Sequence, residues 1–148
     1  MKTAKKTRHT IYGITLFFIT LSGFAQMPVF KRYYIADIPG LGWLAEFYVT
    51  HIMHYVAAAV MIALVVYILF DFILNRSGLN RITRTGYFKI VILAGLIVSG
   101  ALMVVKNLPN VYFGHATIIA LDLAHLGFCM MLLGVSLYSL IKKKSWVS

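Results

Sequence analysis

The chain is poor in charge, in acid and in cysteine. Only 12% of its 148 residues are charged, against roughly a quarter in soluble domains, and aspartate and glutamate together number 4. With 61% hydrophobic residues and a mean hydropathy of +0.85, that scarcity excludes a soluble domain and implies an integral membrane protein. The single cysteine, Cys129, excludes internal disulfides and any cysteine-built iron–sulfur or zinc centre. No serine–histidine–acid set or metal-hydrolase spacing is present, so the chain does not read as an enzyme by itself. Its net charge of +10 does not point to nucleic acid, because the basic residues flank apolar runs instead of forming a patch on a polar surface.

Four apolar runs are present, at about residues 10–27, 44–74, 87–105 and 116–141. A bilayer needs roughly 20 apolar residues per helix, and longer runs can tilt or protrude. The pattern predicts an all-α fold, a four-helix transmembrane bundle of up-down topology forming a single domain. Lys2, Lys5, Lys6 and Arg8 precede the first run; Arg76, Arg81, Arg84 and Lys89 lie around the second loop; Lys142, Lys143 and Lys144 follow the fourth. Only Lys31, Arg32 and Lys106 fall on the other side, so the positive-inside rule places both termini in the cytoplasm. The longest loop, between the first two runs, carries Tyr33, Tyr34 and Trp43, which fit an interfacial aromatic belt.

The first run also has a rival reading. A basic start, an apolar core and Ser22-Gly23-Phe24-Ala25 before Gln26 resemble a secretory signal with a small-residue cleavage site. Cleavage would leave three helices and an outside N-terminus. Internal symmetry argues for keeping the segment. Leu21-Ser22-Gly23-Phe24 is followed by Pro28-Val29-Phe30, and Val98-Ser99-Gly100-Ala101 by Pro109-Asn110-Val111-Tyr112-Phe113. Each is followed by a helix with an internal histidine, as expected of a parallel repeat about the membrane normal.

Those histidines, His54 and His125, lie well inside apolar runs. An imidazole in hydrocarbon is costly without a partner, which makes an intramembrane histidine a functional candidate. His54 is 17 residues before Asp71, and His125 is 17 before Lys142, which puts both at about 25 Å from the inner boundary. Ser22-Gly23 and Ser99-Gly100 fall at a similar level. Glycine permits close approach of a flat macrocycle, and two neutral imidazoles can hold iron from opposite faces. The expectation is a bis-histidine haem b with His54 and His125 as metal ligands and Gly23 and Gly100 lining the cofactor pocket. Ordinary helix packing is the plain alternative for both residue types.

His51 lies one turn from His54 and shares its face; it could replace His54 as ligand or hydrogen-bond a haem propionate. His9 opens the first run and could serve a second haem. Its partner would have to lie late in the fourth run, where residues 135–141 offer only Ser136, Tyr138 and Ser139. Counting ligands gives one haem, with two as the alternative. His115 reads as interfacial. Asp122, three residues before His125, could orient it, pair with Lys106 or Arg32, or move protons. Cys129, Met130 and Met131 read as lipid-facing or packing residues.

Arg8-His9-Thr10 with Phe17-Phe18 and Leu21-Ser22-Gly23, together with His54-Tyr55-Val56-Ala57-Ala58, Ser99-Gly100 and His125, resembles the cytochrome b (gamma) subunits of respiratory formate dehydrogenases and nickel–iron hydrogenases. That resemblance extends over residues 8–138. It implies two haems b, with His54 and His125 at the outer one and His9 at the inner one. It also implies electron transfer between a periplasmic redox subunit, iron–sulfur or cytochrome, and quinone. The second inner histidine of that family is missing here. The expected function is a haem b electron-transfer subunit of a bacterial inner membrane, in contact with the lipid bilayer. The rival readings are a haem-free anchor or assembly subunit and a small proton-coupled transporter component.

Overall fold

A computed structural model describes residues 2–27, 34–74 and 82–142. It is all-α, with four long helices: α1 (Lys2–Ala25), α2 (Phe47–Leu74), α3 (Arg84–Val105) and α4 (His115–Ile141). The chain divides into two compact units, Met1–Arg76 and Ser77–Ser148. Each unit is an antiparallel helical hairpin. Arg8 meets Asp71 and Ser22 meets His54 in the first; Ser99 meets His125 and Lys106 meets Asp122 in the second. Pro28, Lys31, Arg32, Tyr33, Arg76, Arg81, Lys143 and Lys144 lie outside the described residues.

Helices α2, α3 and α4 are long and apolar enough to cross a membrane. Their 28, 22 and 27 residues give lengths of about 42, 33 and 40 Å, at or beyond the ~30 Å hydrocarbon layer. They begin within three residues of the apolar runs. α1 differs, starting at Lys2 instead of near Thr10. Lysine and alanine are good helix formers, so the basic segment joins the helix. Arg8, His9 and the threonines at 10, 15 and 20 dilute its apolar character, and α1 is not among the helices apolar enough to span.

The hairpin turns share a device. In Ile38-Pro39-Gly40-Leu41 the Leu41 N–H donates to the Ile38 carbonyl at 3.0 Å, and Gly40 has φ +87°. In Leu108-Pro109-Asn110-Val111 the Val111 N–H donates to the Leu108 carbonyl at 3.3 Å, and Asn110 has φ +65°. Proline followed by a residue able to take positive φ is the signature of a type II turn. The turn that corresponds to Pro109 is therefore at Pro39. In the first unit the short helical turn Gly42–Ala45 then tucks Leu44 inward before α2 begins. Thr83 caps α3, its hydroxyl accepting from the Gly86 N–H at 3.1 Å.

Hairpin contacts combine small residues with a few large ones, Met61 of α2, Ile92 of α3 and Leu132 of α4. Thr15, Ser22 and Ala25 of α1 are buried, as are Thr50 and Ala57 of α2, Ser99 of α3 and Ser139 of α4. Small and hydroxyl side chains let helices approach closely in lipid, where apolar bulk gives no preference for protein over solvent. Bulky residues such as Val56, Leu69, Val91, Leu102, Leu123 and Leu137 are exposed, as lipid contact requires.

Bulk is distributed oppositely in the two hairpins. Four residues before the serine stands Phe18 in α1 but Gly95 in α3, and three residues after the histidine stands Ala57 in α2 but Phe128 in α4. Phe18 and Ala57 line one apolar groove of about 330 Å³ with Ile14, Thr15, Met53, Val56 and Val60. In the second hairpin the Phe128 ring fills the space above Gly95.

Candidate functional site

In each hairpin the internal histidine is held by the Ser-Gly step of the preceding helix. Ser22 Oγ is 3.0 Å from His54 Nδ1, and Ser99 Oγ is 2.8 Å from His125 Nδ1. The adjacent glycines admit the rings. A Cβ on Gly23 would lie 3.3 Å from His54 Cε1, and one on Gly100 would lie 3.3 Å from His125 Cε1. Two hairpins thus present the same arrangement, with serine on the ring nitrogen and glycine against the neighbouring ring carbon.

The surrounding bonds orient the protons. Each serine also approaches the carbonyls one turn back: Ser22 Oγ is 2.7 Å from Phe18 O and 3.1 Å from Ile19 O, and Ser99 Oγ is 2.7 Å from Gly95 O and 3.2 Å from Leu96 O. A carbonyl can only accept, so the single hydroxyl proton goes there and the serine oxygen accepts from the imidazole. The Ile19 carbonyl lies 3.1 Å from His54 Nδ1, which makes Nδ1 a donor independently of the serine. With Nδ1 protonated, the lone pair of the neutral ring is on Nε2. This is the tautomer that metal-binding histidines show when a second partner orients them.

His51 is separately tied. Its Nδ1 is 3.1 Å from Gln26 Oε1, and Gln26 Nε2 donates to the Ser22 carbonyl at 3.2 Å. The ring stacks on Phe47 with centroids 5.0 Å apart and tilts against Tyr55 at 4.4 Å. His54, not His51, occupies the serine–glycine step. His9, seven residues into α1, and His115, at the start of α4, are exposed.

Of the roles open to Asp122, ion pairing is the one present: Lys106 Nζ donates to Oδ1 at 2.9 Å. In the first hairpin Arg8 pairs with Asp71 at 2.6 Å. The Arg8–Asp71 pair sits at the open end of its hairpin and the Lys106–Asp122 pair near its turn. Cys129 is half-buried, and Met130 and Met131 are exposed.

The glycines that sequence reasoning assigns to a cofactor pocket each lie against the imidazole of their own hairpin. That reasoning misses the serines as hydrogen-bond partners, although both stand directly before the glycines. Among the described residues no group of three or more His, Cys, Asp or Glu side chains is placed to hold a metal ion. Comparison with known proteins returns no matching family model, no matching curated protein and no matching solved structure.

Proposed function

We propose that the chain is a multi-pass membrane cytochrome b, an electron-transfer subunit whose haem b is held by His54 and His125. The observation that carries this reading is the repeated serine–glycine step. Each hairpin uses it to give the Nδ1 proton of an intramembrane imidazole an acceptor and to fix the ring's orientation. Two such imidazoles are the donor set of a bis-histidine haem. When bound, haem supplies a one-electron ferric–ferrous couple. The chain's own part is to orient the rings through Ser22 and Ser99 and to admit them beside Gly23 and Gly100.

The wider setting rests on charge placement and family resemblance. Basic residues at both ends and in the middle loop support cytoplasmic termini in a bacterial inner membrane with four membrane-embedded helices. The resemblance supports electron exchange between quinone and a periplasmic redox subunit, which would carry out any bond chemistry.

A reduced-minus-oxidised absorption spectrum of the purified chain tests the reading. A low-spin haem b spectrum that His125→Ala or His54→Ala abolishes, and His115→Ala preserves, is the expected result. An unchanged low-spin spectrum in His125→Ala would remove the assignment. A second reading, a haem-free anchor subunit, is favoured by the same serine–histidine bonds, because they already satisfy each ring as a packing residue. It predicts no haem band in the parent chain.

A further inference from the structure

Resting on the haem reading, we propose that Ser22 and Ser99 are positioning residues that set the electronic character of the two axial histidines, and that they do so unequally. A hydrogen bond from Nδ1–H to an acceptor shifts electron density toward Nε2 and makes the ring a stronger donor to a metal. That favours the ferric state and lowers the potential. His54 gives its Nδ1 proton to two acceptors, Ser22 Oγ and the Ile19 carbonyl, at 3.0 and 3.1 Å. For His125, Ser99 Oγ at 2.8 Å is the acceptor that the described residues provide.

The asymmetry has a structural origin. Both serines donate to the carbonyl four residues back at 2.7 Å, so both oxygens are equally able to accept. The Ile19 carbonyl, three residues before Ser22, also comes within reach of His54. The matching carbonyl, Leu96, accepts from Ser99 at 3.2 Å just as Ile19 accepts from Ser22 at 3.1 Å, but among the described hydrogen bonds only Ile19 also meets its histidine. Removing the Ser22 hydroxyl therefore leaves the His54 proton an acceptor, whereas removing the Ser99 hydroxyl takes the described acceptor away from His125.

Two measurements on the full chain test this. In haem-free protein labelled with 15N-histidine, NMR should show both rings protonated on Nδ1. Ser22→Ala should keep that state at His54, and Ser99→Ala should let His125 populate the other tautomer. In haem-loaded protein, Ser99→Ala should raise the midpoint potential more than Ser22→Ala does, and Ser99→Thr should bring it back toward the parent value. A parent His125 protonated on Nε2, or a Ser99→Ala chain with unchanged tautomer and potential, would overturn the proposal. A chain that shows these tautomers but takes up no haem would uphold the serine lock and remove the electron-transfer reading.

Discussion

Gly95 sits directly under the ring of Phe128: a Cβ built on it would lie 2.7 Å from Cζ and 2.8 Å from Cε1 and Cε2. No side chain fits there without movement of the ring or the helix. Gly95→Ala is expected to destabilise the second hairpin by about 1–3 kcal/mol, the usual cost of overpacking. Phe128→Ala in the same chain should recover much of that loss. Thermal unfolding in detergent of the two single variants and the double variant measures it, and additive losses would contradict the contact.

Gly100 poses a milder case. A Cβ at 3.3 Å from His125 Cε1 requires the ring to yield by a few tenths of an ångström, while Ser99 holds its other side. Gly100→Ala should leave the chain folded but weaken haem retention, and Gly100→Val should remove it. Haem-to-protein ratios after gel filtration report this. Retention equal to the parent in both variants would show that the ring position is not critical.

Ligand counting sets the stoichiometry. With no histidine after His125 in α4, one haem per chain is expected by pyridine haemochrome against protein mass. His9→Ala should not change the ratio. Two haems in the parent, one of them lost with His9, would show that an unorthodox ligand or a partner subunit completes an inner site.

The two ion pairs should differ little from other exposed pairs. With side chains 17% and 50% exposed for Lys106–Asp122 and 34% and 37% for Arg8–Asp71, screening limits each to about 0.5–1 kcal/mol. A double-mutant cycle with Lys106→Met and Asp122→Asn should give a coupling in that range, and Asp122→Asn should keep the haem spectrum. Loss of haem in Asp122→Asn would assign the carboxylate a role at His125 instead.

Three helix bodies are legible in the chain because long apolar runs leave no alternative to a helix in lipid. The start of α1 is not, since Lys2 to Arg8 read as a charged flank, yet their side chains favour helix. The level shared by Ser22 and His54, and by Ser99 and His125, can be estimated from residue spacing because helical rise is uniform. Which atom meets the ring is another matter. Serine and glycine are adjacent in sequence, and only the helix rotation determines that Oγ meets Nδ1 while the glycine Cα faces Cε1. The correspondence of Pro39 with Pro109 is hidden because the first connection is longer and its early proline, Pro28, competes for the match.

The serine–histidine bonds have a consequence for biogenesis. Each hairpin meets the hydrogen-bonding need of its own Nδ1 from within, His54 with the Ser22 hydroxyl and the Ile19 carbonyl and His125 with the Ser99 hydroxyl, so neither ring depends on a metal to satisfy that nitrogen. On the haem reading, insertion of the polypeptide is thereby independent of delivery of the haem. If the chain takes a haem, its imidazoles already stand in the acceptor form before the group arrives.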